Sequence, residues 1–217
     1  ASANQDDGSC ATLIVSGCTD PAAENYDPDA TNDDGSCTFA STCAPVTFDG
    51  YSYEVVQIGD QCWFAENLRS DNYRNGDAIP GNLTDGEWTS MTTGAQAIYG
   101  EGSSVVYDGS DDEVANLATY GRLYNWYAVD DVRGLCPTGW HVPTDGEWTT
   151  LTDFLGGSGV AGHAMKSSST DSPSWNGSNT SGFSGLPGGS RTYAQGWFYG
   201  EGSFGYWWSS SPDGSTK

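Results

Sequence analysis

An α+β architecture follows from the order in which three patterns appear along this chain. An acidic, cysteine-bounded segment comes first, at residues 18–37. Two stretches with helical spacing of apolar residues follow, at 113–129 and 144–155. Beyond about residue 160, aromatic runs alternate with turns, as in GFSGL, RTYAQGWFYGEG and FGYWWSSS. The expected organisation is a small loop repeat stabilised by a disulfide and calcium, then a larger domain of two helices and a twisted antiparallel sheet.

The N-terminal segment is a repeat. Residues 18–37 read CTDPAAENYDPDATNDDGSC and residues 1–10 read ASANQDDGSC. Aligning Cys10 with Cys37 superposes Asp6, Asp7, Gly8 and Ser9 on Asp33, Asp34, Gly35 and Ser36, a period of 27 residues. Residues 1–10 thus read as the tail of one copy and 11–37 as a complete one. Such a unit is too small to hold itself together by apolar burial. A Cys18–Cys37 bridge would contribute roughly 3 kcal/mol by restricting the unfolded chain. Asp27, Asp29, Asn32, Asp33 and Asp34 offer alternating oxygen atoms, with Gly35 for a sharp turn, which suits Ca2+. Asp20, Asn25 and the Tyr26 carbonyl are secondary candidates. The competing reading is that Asp-Asp-Gly-Ser is simply a turn.

Residues 38–45 read as a linker, and 46–217 as the main domain. Asp49-Gly50 and Gly59-Asp60 are turn signals around an alternating run, Tyr51, Tyr53, Val55 and Gln57. Cys43 and Cys62 flank this hairpin and are expected to pair. The stretch 70–112 is long, polar and irregular. It ends in a second oxygen cluster, Asp108, Asp111 and Asp112 with Ser110 and Glu113, read either as a metal site or as a solvated turn and helix N-cap. Val114, Leu117, Leu123, Trp126 and Tyr127 give 113–129 an apolar helical face, weakened at Gly121. Thr144-Asp145-Gly146-Glu147 is a capping box, and the helix it opens should end at Gly156-Gly157.

Composition narrows the function. Aromatics are 13% of the chain while hydrophobic residues are only 36%, so a core built from rings is expected. The net charge of −22 excludes nucleic acid and anionic membrane surfaces as partners, since both demand clustered Lys and Arg. No apolar run is long enough to insert in a membrane. The cysteines form no C-x-x-C pair and there are only 2 His, which favours disulfides in an oxidising compartment over zinc. Neither His141 nor His163 has an evident catalytic partner, and His141 reads as a structural imidazole bonded to backbone. No catalytic residue is assigned, and an enzyme is not expected.

Five phrases then carry a resemblance: IGDQCWFAENL (58–68), YGRLYNWYAV (120–129), LCPTGWHVPTDGEWTTL (135–151), GFSGLPGGSR (182–191) and GYWWSSS (205–211). In this order they resemble the major paralogous domain family named after Fibrobacter succinogenes, found in secreted and surface proteins of bacteria. The resemblance implies a C-type-lectin-like fold. It also implies further strands beyond Lys217, including a cysteine to pair with Cys136. The first unit resembles the acidic tandem repeats of large bacterial surface proteins. GWHVPTDGEW is similar to a phrase of sulfatase-modifying enzymes, but no cysteine follows Cys136 to supply their chemistry. The calcium-bridging E-P-N or Q-P-D triplets of sugar-binding C-type lectins are absent.

The resulting expectation is a secreted cell-surface adhesion module that recognises an extracellular glycan or protein. Trp197, Tyr199 and Tyr206 are the candidate ligand contacts, through ring stacking. The alternatives are a subunit of an extracellular filament, with copies of itself or neighbouring domains as partners, and an accessory domain of a polysaccharide-degrading enzyme.

Overall fold

The computed structural model describes residues 14–21, 23, 25–37 and 43–212. They belong to two compact units, 1–42 and 43–217. The repeat tail at 1–10, with Cys10, and most of the linker, 38–42, lie outside the described residues.

In the first unit, β1 (Ser16–Gly17) pairs in parallel with β2 (Asn32–Asp33). Cys18 is bonded to Cys37, with Cα atoms 4.7 Å apart. The acidic residues shape the turns themselves. Asp27 Oδ1 accepts from the Asp29 N–H at 2.9 Å, Asp33 Oδ1 from Gly35 at 3.0 Å, and Asp34 Oδ1 from Ser36 at 3.0 Å. Gly35 takes φ 76°, a conformation that Gly adopts without steric cost.

The second unit opens with two hairpins. The first pairs β3 (Val46–Phe48) with β4 (Tyr51–Tyr53), and the second β5 (Val55–Ile58) with β6 (Gln61–Phe64). Turns stand at Asp49-Gly50 and Gly59-Asp60, and the Cys43–Cys62 disulfide ties the two hairpins together. Short helices follow: α1 (Asp85–Ser90), α2 (Glu113–Tyr120), α3 (Trp126–Val129), α4 (Asp145–Phe154) and α5 (Ala161–Met165). Between them β7 (Gln96–Ala97) pairs with β8 (Leu123–Tyr124), and the last ladder is β9 (Gly188–Arg191) against β10 (Phe198–Glu201). The described chain is therefore α+β, with its strands in separate two-stranded ladders rather than in one twisted sheet. None of its described helices is long and apolar enough to cross a membrane.

Three differences from the sequence expectation have physical causes. The 113–129 stretch is not one helix. Gly121 ends α2 at φ 72°, and a Cβ there would stand 2.8 Å from the Leu68 carbonyl oxygen. Val114, assigned to the apolar face, is exposed, and the buried residue is Asn116, which donates to the carbonyls of Tyr99 and Ser110 at 2.9 Å each. Secondly, the irregular stretch 70–112 contains α1. Its Thr84–Glu87 capping box duplicates the Thr144–Glu147 box of α4, within the same string TDGEWT. Thirdly, 205–211 forms no strand. Side chains hold it instead: Trp148 Nε1 donates to the Trp208 carbonyl at 3.1 Å, and Trp208 Nε1 to that of Tyr124 at 2.7 Å.

Among the described residues, apolar burial is divided among three clusters, each containing rings. Trp88, Tyr99 and Phe198 centre one, Trp63, Leu151 and Phe183 the second, and Tyr73, Ile79 and Leu135 the third. Rings supply large apolar areas where Leu and Ile are few.

Carboxylates with fixed partners give the fold an acid limit. The Arg133 guanidinium beside Asp131 holds its carboxyl at about 2. The Thr84 and Thr144 backbone N–H groups hold Glu87 and Glu147 below the ordinary range. Folded values below the unfolded ones mean that the unfolded chain binds more protons in acid. This stability is complete above the unfolded pKa values and is lost as pH falls through the folded ones. The melting temperature is therefore expected to drop between about pH 4 and about pH 2. Asp131→Asn should shrink that drop, as read by thermal melts across the range. A flat profile would show that these pairs do not couple to folding.

Candidate binding surface

The β9–β10 hairpin positions the aromatic residues singled out from the sequence. Along β10 successive side chains alternate between faces. Phe198 points inward and is fully buried, while its neighbours Trp197 and Tyr199 are each 39% exposed. The segment 105–107 runs along the other edge of β10. The Phe198 N–H donates to the Val105 carbonyl and the Tyr107 N–H to the Phe198 carbonyl, both at 2.9 Å. Tyr107 thereby arrives beside Tyr199, with ring centroids 5.5 Å apart.

Tyr199 continues to Phe204 at 6.2 Å, with planes 19° apart, and Phe204 to Tyr206 at 6.3 Å. The four rings make one contiguous row, and every one of them is exposed. Trp197 stands on the same face of β10 as Tyr199, but no ring contact joins it to the row. Tyr107 was not among the sequence candidates. Tyr107 lies outside the aromatic-rich C-terminal stretch, and only the pairing of residues 105–107 with β10 brings it in.

Buried charge holds the hairpin from beneath. The Arg191 side chain is fully enclosed. It donates to Glu101 Oε1 at 3.0 Å, the Leu83 carbonyl at 2.6 Å, Ser104 Oγ at 2.7 Å and the Gly196 carbonyl at 2.9 Å. Its guanidinium also lies 4.6 Å from the Trp88 ring centroid and 4.7 Å from that of Phe198. Burial pushes the Glu101 carboxyl up, opposed by the Ile98 N–H and by Arg191 itself.

The oxygen cluster before α2 braces the same hairpin. Asp108 Oδ1 accepts from the Gly200 N–H at 2.5 Å and from the Tyr99 hydroxyl at 3.1 Å. Asp112 caps α2 through the Ala115 N–H at 3.0 Å, and the Glu113 N–H donates to the Asp111 carbonyl at 3.1 Å. Among the described residues no three His, Cys, Asp or Glu side chains gather as a metal centre, either here or around Asp27, Asp29, Asn32, Asp33 and Asp34. The repeat carboxylates bond turn N–H groups, while the second cluster combines a helix cap with the Asp108 brace to Gly200 and Tyr99.

His141 differs from its expected role. Its Nε2 bonds Glu147 Oε1 at 2.7 Å, on the surface, rather than a backbone group. Cys136 is a free thiol, and burial pushes its pKa up to about 11.

Comparison with known proteins bears on most of the chain. The sequence pattern described as the Fibrobacter succinogenes major domain matches residues 56–217. A 26-residue stretch is 65% identical to the chloroplastic ribulose bisphosphate carboxylase/oxygenase activase of Spinacia oleracea, covering 12% of this chain and 6% of that protein. So small a share carries no functional argument. No solved structure matches the chain.

Proposed function

The chain belongs to the Fibrobacter succinogenes major domain family, and from that premise we propose that it is the binding module of a secreted bacterial surface protein, recognising extracellular glycan. The observation that carries this reading is the exposed row Tyr107–Tyr199–Phe204–Tyr206. Exposed rings in a contiguous line on a braced hairpin are costly to leave in water and mark interaction surfaces. A sugar ring presents an apolar C–H face that stacks on an aromatic face, with hydroxyls left at the rim for water or acidic groups. The Cys18–Cys37 and Cys43–Cys62 disulfides suit an oxidising, extracellular setting. In this reading the main domain is a variant of the C-type-lectin-like fold, and the acidic repeat is part of a stalk. Adhesion then rests on stacking, and no bridging calcium is needed at the row.

Depletion of the protein by insoluble cellulose, xylan and chitin tests this. Tyr199 touches rings on both sides, so Tyr199→Ala is expected to weaken retention about tenfold, or about 1.4 kcal/mol. Tyr193→Ala is the control, because Tyr193 is 88% exposed and stands outside the row. Equal retention of wild type and Tyr199→Ala on every polymer would rule out the row as the glycan surface. Retention by immobilised protein alone would shift the reading to a protein ligand.

A further inference from the structure

Beyond α5 the chain makes a loop that closes on itself. The Ser167 N–H donates to the Gly185 carbonyl at 2.9 Å, and the Asn179 N–H to that of Lys166 at 3.0 Å. An open cleft of about 340 Å³ results, walled by Ser167, Asp171, Ser172, Asn179 and Ser184, with Leu186 among its apolar members. Its volume lies at the small end of ligand sites, which run from about 300 to 1,000 Å³.

One group in this wall is out of place in a finished fold. Ser167 is 1% exposed, yet its Oγ has no hydrogen-bond partner. A buried hydroxyl is nearly always satisfied, so an orphan one lining a cleft points to a partner that arrives from outside. The surrounding polar atoms are already fixed in place. Asp171 Oδ2 accepts from the Ser168 N–H at 2.6 Å and from Asn179 Nδ2 at 3.3 Å. Asn179 Oδ1 accepts from the Ser184 N–H at 2.9 Å. Both Asn179 and Ser184 hold positive φ, 53° and 55°, a conformation that costs energy for residues other than Gly.

The wall chemistry selects the ligand. Hydroxyls and an amide both donate and accept, while the Asp171 carboxylate only accepts and disfavours anions. A single carboxylate is a poor cradle for a divalent cation, and no metal-binding group gathers among the described residues. The partly exposed Trp207 ring packs on Gly185, the residue between two members of the wall, Ser184 and Leu186, where a Cβ would lie 3.3 Å from it. We propose that this cleft is a second binding site, taking one neutral sugar residue, with Ser167 Oγ as a buried hydrogen-bond partner for a sugar hydroxyl. It deepens the glycan reading by adding a pocket for a single residue to the stacking row, and it has its own test.

The test is amide chemical-shift mapping of the whole chain with methyl glycosides of glucose, galactose, mannose and N-acetylglucosamine, up to about 50 mM. At least one should bind with a Kd of about 1 mM and shift the amides of Ser172 and Asn179. Ser167→Ala should weaken that binding about tenfold without lowering the melting temperature, because the hydroxyl it removes has no partner in the fold. Tyr199→Ala should leave it unchanged. If no glycoside shifts the cleft amides, or if Ser167→Ala binds as wild type does, the cleft is not a sugar site. Loss of polymer retention in Tyr199→Ala would still stand in that case, so the two readings fail separately.

Discussion

Arg191→Ala is expected to destabilise the main domain by about 3–5 kcal/mol, a large part of the roughly 5–15 kcal/mol that holds an ordinary domain folded. The guanidinium is fully enclosed and makes four hydrogen bonds, one of them to the nearly buried Glu101. Its removal leaves a carboxylate in the interior with neither water nor counter-charge, and empties the space between Trp88 and Phe198. Thermal or urea unfolding reads the effect directly. Arg191→Lys should recover little, because one ammonium cannot reproduce a planar fork aimed at four acceptors. The double variant Arg191→Met, Glu101→Gln should recover more, since it removes both buried charges together. A cost below about 1 kcal/mol for Arg191→Ala would mean that water reaches Glu101 and that the pair is not what holds β9–β10. Binding through the aromatic row should fail along with the hairpin.

Reduction of the Cys18–Cys37 bridge is expected to unfold the first unit. The bridge closes a loop of 19 residues in sequence separation, worth roughly 3 kcal/mol in the chain-entropy account. Little else opposes unfolding there: the described buried residues of the unit are Cys18 and Ala23. Asp27, Asp33 and Asp34 each give one carboxylate oxygen to a turn N–H group, which orders the loop locally without adding a core. Hydrogen exchange across residues 14–37, with and without reductant, gives the measurement. Protection should vanish in reductant and persist in chelator. Loss of protection in chelator alone would show that calcium supplies the missing stability, with the same carboxylates turned toward the ion.

The capping box at Thr144–Glu147, the turn at Asp49-Gly50 and the helix end at Gly156-Gly157 are all readable from the chain, because each is decided within four or five residues. The string TDGEWT at 84–89 carried the same instruction, yet the irregularity around it hid α1. The family is equally legible, since ordered phrases survive as text. Other features depend on partners far away in sequence. Gly121 breaks the apparent long helix because the backbone of Asn67 and Leu68 passes too close for a side chain. Tyr107 joins Tyr199 only through the pairing of 105–107 with β10. The aromatic run at 205–211 suggests a strand, but the Trp148 indole bonds the Trp208 carbonyl and the Trp208 indole that of Tyr124, and those bonds take the place of a ladder. Local hydrogen bonds and backbone preferences were set by the amino-acid order alone. Which rings stay in water, and which polar groups lie buried without a partner, was decided only when distant segments packed, because exposure belongs to the assembled surface and not to any one stretch of chain.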